Sequence, residues 1–208
     1  MAGLFITLEG GDGSGKTTQA GLLESWLVGE GRRVVRTREP GGTDLGLELR
    51  QIVLHRRGHI APRAEALLYA ADRAHHVETL VRPALERGEV VLQDRYIDSS
   101  VAYQGAGRVL GGDEVRALSH WAVEGLEPDL TVLLDLDEQL GRRRLDAGRT
   151  TWDRLEAEAS AFHAAVRRAY LAIAEAEPGR FLVVDASRPV DDIAAEVRAR
   201  VAALLDAA

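Results

Sequence analysis

The octapeptide Gly10-Gly11-Asp12-Gly13-Ser14-Gly15-Lys16-Thr17 stands between the short apolar run Leu4-Phe5-Ile6-Thr7-Leu8 and a stretch where Leu22, Leu23, Trp26 and Leu27 recur at helical spacing. It matches G-x-x-x-x-G-K-[ST] in full, after a strand and before a helix, the setting in which that pattern has a mechanism. Glycines let successive backbone N–H groups turn inward on phosphate oxygens, and the helix N-terminus adds positive potential. Lys16 can then reach the β and γ phosphates, while Thr17 can hold Mg²⁺. Gly10, Gly11, Asp12, Gly13, Ser14, Gly15, Lys16 and Thr17 are therefore the expected binding loop for a nucleoside triphosphate. Composition sharpens this reading: of 26 basic residues 25 are arginine, and Lys16 is the single lysine. A chain that uses arginine everywhere else places a compact point charge at this one position.

Further short β-branched runs follow at Val34-Val35-Arg36-Thr37, Val90-Val91-Leu92-Gln93, Leu130-Thr131-Val132-Leu133-Leu134 and Phe181-Leu182-Val183-Val184. Helical stretches separate them. The longest, from about Pro62 to Arg87, sets Ala66, Leu67, Ala70, Ala74, Val77, Leu80 and Val81 on one face; the last, from Pro189, aligns Ile193, Val197, Val201 and Leu204. Strands alternating with helices predict a mostly parallel sheet covered on both faces, with ligands beyond the carboxyl ends of its strands.

With 208 residues, 46% hydrophobic and 28% charged, and with Gly and Pro scattered rather than clustered, a single domain over 1–208 is expected. No apolar run approaches the roughly 20 residues of a membrane span, and the N-terminus lacks the charged region and cleavage site of a secretory signal. A cytoplasmic protein without a membrane partner is expected. The absence of cysteine excludes disulfides, thiolate metal sites and cysteine nucleophiles, and a net charge of −7 argues against nucleic acid as a partner.

The second strand leads into Thr37-Arg38-Glu39-Pro40-Gly41-Gly42-Thr43, and the third into Asp94-Arg95-Tyr96 and on to Ala102-Tyr103-Gln104-Gly105. Both segments fall at the binding edge. Arg38 and Arg95 can each grip a phosphate with a planar fork, which suits a second, phosphorylated substrate facing the loop across a cleft. The competing reading pairs each arginine with its neighbour, Glu39 or Asp94. A GTPase is disfavoured, since the chain has no asparagine and no second lysine for an Asn-Lys-x-Asp guanine-reading segment.

These residues resemble the bacterial thymidylate kinases nearly end to end. The resemblance rests on Glu9 to Thr17, Thr37 to Thr43, Tyr69-Ala70-Ala71-Asp72-Arg73, Asp94-Arg95-Tyr96 with Ala102 to Gly105, and Asp153-Arg154-Leu155-Glu156. It implies an α/β, P-loop NTPase-type three-layer sandwich with a five-stranded parallel sheet and a short mobile lid at about 142–154. It also implies Mg²⁺-dependent transfer of the ATP γ-phosphoryl to dTMP and suggests a homodimer. Arg38 and Arg95 would meet the acceptor phosphate. Tyr69 stands where the family usually places a phenylalanine against the thymine face, and Arg73 where it hydrogen-bonds a pyrimidine carbonyl. Ser100 lies where a small polar side chain nears the base edge, and Gln104 belongs to the same acceptor set. Tyr103 would crowd the sugar's 2′ side, Asp12 would approach the acceptor sugar and the metal's water shell, and Asp94 would act with Thr17 as the Mg²⁺ acid.

Other readings compete. Tyr69 and Arg73, four apart on one helix face, could form a cation–π pair, and Tyr103 could be core. His75 and His76 point about 100° apart and cannot chelate one ion together. Asp135 and Asp137 suit N-capping of the helix after the fourth strand. Some family members carry an arginine inside the loop, where this chain has Gly13 and Ser14, so the positive charge on the migrating phosphoryl must come from elsewhere; the resemblance implies the basic run Arg142 to Arg154, for which the rival reading is a solvated helix face with Glu138 and Asp146 as counter-charges. Arg149, between Gly148 and Thr150, is the first choice, with Arg142, Arg144 and Arg154 as the others; Arg142 to Arg144 are expected to continue a helix. The expected catalytic set is Lys16, Arg95, Arg149 and Asp12. Two rival functions remain: a kinase acting on thymidine, which would need a carboxylate at the 5′-hydroxyl and no acceptor-phosphate arginines, and a regulatory ATP-binding protein, which would need no acceptor pocket.

Overall fold

The structure, a computed structural model, describes residues 3–56, 58–106, 110–146 and 153–207. Five strands, β1 (Leu4–Glu9), β2 (Val34–Arg38), β3 (Val90–Asp94), β4 (Leu130–Asp135) and β5 (Phe181–Asp185), form one sheet in the order β2-β3-β1-β4-β5. Every neighbouring pair is parallel. Alternation along the strands splits the core into two layers. Leu4, Ile6, Leu92, Val132 and Leu134 pack on one side with Leu23 and Leu27 of α1 (Lys16–Gly29) and Val197 and Val201 of α9 (Val190–Ala207). Phe5, Val91 and Leu133 pack on the other with Tyr69 of α3 (Pro62–His76) and Val166 and Tyr170 of α8 (Ser160–Ala176). The result is the expected three-layer sandwich.

Each strand runs one residue past its apolar run, so Glu9, Arg38, Asp94 and Asp135 close the strands at the binding edge. Parallel register sets Leu8 beside Asp94 and Arg38 beside Asp94, which brings three strand ends to one level. The chain moves outward from β1 to β2 and later crosses to β4 on the other flank, so a crevice opens where the connections diverge.

The helical stretch from Pro62 differs from expectation. After α3 it widens into a π-helical segment, Val77–Val81, before α4 (Arg82–Glu86). Pro83, inside α4, lacks an N–H and its ring would clash with the carbonyl four residues back, which the wider turn relieves. Ala66, Ala70, Val77 and Val81 are buried, whereas Leu67 is 56% exposed because it lies on the flank of that face. The remaining helices are α2 (Asp44–Arg50), α5 (Ile97–Ser100), α6 (Gly112–Ala122) and α7 (Glu138–Asp146), with π-helical segments after α2 and α5. Arg142 to Arg144 continue α7 as expected, and Asp137 caps it by accepting from Gln139 N at 3.0 Å and Leu140 N at 3.2 Å. Asp135 does not cap; Arg167 engages both its oxygens at 2.7 and 2.9 Å.

Candidate active site

The loop after β1 is shaped by backbone positions that a side chain would spoil. Gly10 sits at φ +133° with Leu134 O only 2.5 Å from where a Cβ would stand, and a Cβ at Gly13, whose φ is +76°, would run into Gly141 O of α7. The close approach of α7 and the left-handed backbone leave no room for a side chain at position 13. Gly15, at φ +97°, precedes α1 without any side-chain cap, so the first amides of that helix remain available to an anion. Lys16 is 7% exposed and folds its ammonium onto the loop, donating to Gly10 O at 3.0 Å and Gly11 O at 2.9 Å. Burial, and next the charge of Arg95, lower its pKa from the ordinary lysine value.

Across from the loop lies a cavity of about 450 Å³, whose lining includes Asp12, Lys16, Arg38, Tyr69, Arg95 and Gln104. Arg38, at the end of β2, is exposed and has no partner among the described residues. Its proposed pairing with Glu39 fails, because Glu39 turns into the interior. Arg95 likewise ignores Asp94. It adopts a left-handed backbone, φ 71°, and its Nη2 donates to Asp12 Oδ1 at 2.6 Å and to the Tyr103 hydroxyl at 3.3 Å. Its Nη1 reaches Ser99 Oγ at 3.3 Å and the Tyr170 hydroxyl at 3.4 Å, and its guanidinium carbon stands 5.0 Å over the Tyr103 ring. Burial alone would push the Asp12 carboxyl up, but Arg95, with Lys16 and His163 beyond it, holds it below its ordinary value. Tyr103 is thus both packed, at 4% exposure, and hydrogen-bonded in the cavity wall.

The far end of the cavity is built on Arg73, which is 1% exposed. Its Nε donates to Glu39 Oε2 at 2.7 Å, its Nη1 to Ser119 Oγ at 3.1 Å, and its Nη2 to Tyr96 O at 3.1 Å and Ser100 Oγ at 3.0 Å. One of its five N–H groups therefore has no partner among the described residues. The cation–π contact of Arg73 is with Tyr96, at 5.6 Å, not with Tyr69, which leaves the Tyr69 ring as cavity wall. Burial raises the Tyr69 hydroxyl above its ordinary pKa, so it stays a neutral donor. Gln104 donates from Nε2 to Glu65 at 3.0 Å.

Thr17, exposed at the start of α1, and Asp94 border the same cavity, and Asp94 Oδ1 is buried without a hydrogen-bond partner among the described residues. A hydroxyl and an unpartnered carboxylate oxygen suit a hard divalent cation. Among the described residues no cluster of three or more His, Cys, Asp or Glu could hold a metal alone, so such an ion would have to share its ligands with a nucleotide's phosphates. Arg149 lies outside the described residues. Arg144 borders the cavity from α7. Arg154 is not free to swing: it pairs with Glu65 and donates to Val53 O at 2.8 Å.

Sequence reasoning missed a layer of supports. Glu9, fully buried, accepts from Tyr96 N at 2.7 Å, Ser99 Oγ at 2.6 Å and the Tyr170 hydroxyl at 2.8 Å. Those two hydroxyls thereby turn their lone pairs toward Arg95. Burial, then the charge of Asp98, raises the Glu9 pKa. His76, also fully buried, bridges Glu39 Oε1 at 3.0 Å and Thr37 Oγ1 at 2.7 Å. Arg50 donates to Pro40 O at 2.9 Å and borders the cavity as a further cation, its pKa lowered by burial and by the charge of Arg38.

The family model described as Thymidylate kinase matches residues 8–197. A thymidylate kinase of Leifsonia xyli subsp. xyli is 79% identical over 198 residues, covering 95% of this chain and 94% of the relative. That of Clavibacter michiganensis subsp. michiganensis is 70% identical over 207 residues, covering 100% of this chain and 98% of the relative. That of Deinococcus radiodurans is 54% identical over 199 residues, with 96% of both chains covered. A glycine-rich loop that faces Arg38 and Arg95 across a cavity walled in part by Tyr69 and Tyr103 accompanies a match over nearly the whole length, and that match identifies the chain as a member of the thymidylate kinase family.

Proposed function

We propose that this chain transfers the γ-phosphoryl of ATP to dTMP, giving dTDP and ADP, in a single domain spanning 1–208. The observation that carries this reading is Arg38, an exposed cation without a partner among the described residues, at the rim of the cavity that holds Lys16 at the other wall. A thymidine acceptor would leave that charge with nothing to neutralise, and a switch protein would not need the pocket behind it. Arg38 and Arg95 grip the acceptor phosphate in this reading. Tyr69 lies against the thymine face, the remaining N–H of Arg73 meets a pyrimidine carbonyl, and Ser100 and Gln104 border the base edge. Tyr103 excludes a 2′-hydroxyl.

The acceptor phosphate is already a nucleophile, so no general base is required and catalysis is positioning plus charge neutralisation. Lys16 leaves the loop carbonyls for the β and γ oxygens when ATP occupies Gly10 to Thr17. Arg95, oriented by Asp12, Ser99 and Tyr170, presents its fork to the transferring group. Thr17 and Asp94 would hold Mg²⁺, which would supply positive charge to the donor phosphates. Arg149 would add the cation that Gly13 and Ser14 leave out of the loop. A homodimer is part of the proposal, supported by the exposed Leu45 and Leu67 of α2 and α3 and by Trp121 of α6, 79% exposed. A cytoplasmic location is proposed too; among the described residues no helix is long and apolar enough to cross a membrane.

The test is a coupled ADP-release assay with dTMP, dUMP, dCMP, dGMP and thymidine as acceptors. Release that depends on dTMP, exceeds that with dCMP and dGMP, and is absent with thymidine supports the reading. Release indifferent to every acceptor refutes it.

A further inference from the structure

Arg154 follows the basic stretch by sequence, yet its surroundings belong to the opposite end of the cavity. Asp153 Oδ1 accepts from Leu155 N at 2.9 Å and Glu156 N at 2.8 Å, while Glu156 Oε2 accepts from Asp153 N at 3.0 Å, a reciprocal box that stiffens this turn. Arg154 N donates to Leu54 O at 3.1 Å and its Nε to Val53 O at 2.8 Å, so both backbone and side chain are tied to the segment after α2. Its Nη2 then reaches Glu65 Oε2. Glu65 is 1% exposed on α3, and its other oxygen receives Gln104 Nε2 at 3.0 Å.

This arrangement fixes a polarity. A carboxylate paired with a guanidinium accepts hydrogen bonds and does not donate them. Gln104 must therefore turn its NH₂ toward Glu65, and its carbonyl oxygen, which has no partner among the described residues, is left for whatever base occupies the cavity. An acceptor oxygen at that point favours a pyrimidine that carries hydrogen on its ring N3 and disfavours one with a bare N3 lone pair.

We propose that Arg154, acting through Glu65, is a positioning residue for Gln104 that makes the cavity prefer an N3-protonated pyrimidine, rather than a cation for the migrating phosphoryl group. The proposal rests on the dTMP reading above. It predicts a split in kinetic parameters that a phosphate-facing arginine would not give. In the full-length enzyme, Arg154→Ala should raise the KM for dTMP about tenfold and narrow the dTMP:dCMP preference about tenfold, with kcat within about threefold and the KM for ATP within about twofold. Arg154→Lys keeps a cation beside Glu65 and should recover most of the preference. In a Gln104→Ala background, Arg154→Ala should change the dTMP KM less than about twofold, because the residue it acts through is gone. Glu65→Gln tests the same claim with the side chain's size kept and its charge removed: its amide can pair with either face of Gln104, so the preference should fall about tenfold.

A fall in kcat of about 100-fold in Arg154→Ala with the dTMP KM unchanged would place Arg154 on the phosphates and overturn the proposal. Fully additive effects of Arg154→Ala and Gln104→Ala, or an unchanged preference in Glu65→Gln, overturn it as well. A parent enzyme inactive on dTMP overturns the dTMP reading and this proposal together, whereas an active parent with independent variants overturns the relay alone.

Discussion

Asp72→Asn should stabilise this protein at alkaline pH by an amount that shrinks as the solution is acidified. Asp72 is 1% exposed, its Oδ1 accepts from Gly41 N at 3.2 Å, and its Oδ2 is buried without a partner among the described residues. Burial, and next the negative charge of Glu39, push its carboxyl from 3.8 up to about 6, against smaller opposing effects of the Gly41 N–H, His76 and Arg73. Below the unfolded value both states carry the proton and nothing is lost. As pH rises through about 6 the folded protein must ionise a group that the unfolded chain ionises freely, so stability falls. A gap of roughly two pKa units corresponds to about 3 kcal/mol at pH 8, of which only about 1 kcal/mol is present at pH 4.5. Asparagine keeps an acceptor for Gly41 and never ionises. Urea unfolding of parent and variant, at fixed protein concentration and at pH 4.5 and 8, measures both differences. A variant no more stable than the parent at pH 8, or a difference that does not change with pH, would refute the reasoning.

Three further substitutions probe the cleft. Lys16→Arg should lose at least about 100-fold in kcat while remaining folded, since a planar fork cannot occupy the site between the Gly10 and Gly11 carbonyls; activity within about threefold of the parent contradicts this. Arg38→Ala should cost about 2–4 kcal/mol in kcat/KM for dTMP, and because Arg38 has no partner among the described residues it should leave the thermal midpoint unchanged. A tenfold rise in the ATP dissociation constant instead would move Arg38 to the donor side. Arg149→Ala should lower kcat by roughly 10²–10³ with both substrate dissociation constants within about threefold, as measured by single-turnover kinetics and equilibrium titration. Retention of more than half of kcat removes Arg149 from the catalytic set.

What the sequence made legible was local. The loop at Gly10 to Thr17 carries its strand, its glycines and its helix within some twenty residues, and Arg38 and Arg95 could be placed because each follows a strand at the edge where ligands bind. Neighbour pairing failed for both arginines for a geometric reason. Adjacent residues at a strand end point to opposite sides, so Glu39 enters the interior toward Arg73 and His76 while Arg38 faces the cleft, and the left-handed turn at Arg95 carries its side chain away from Asp94. The supporting layer was illegible because its contacts span the chain: Glu9 meets Tyr170 across 161 positions, and Arg154 meets Glu65 across 89. Nothing in the spacing of one helix tells which of its polar residues will be fully buried, and His76 was invisible for that reason.

The most direct measurement is ³¹P NMR of a reaction containing the protein, ATP, Mg²⁺ and dTMP. The account predicts that the dTMP resonance is replaced by the coupled α and β doublets of dTDP, with ADP appearing in equal amount and no inorganic phosphate. ADP accompanied by inorganic phosphate, with the dTMP resonance unchanged, would mean that the loop hydrolyses ATP and that the cavity beside it does not receive dTMP as an acceptor.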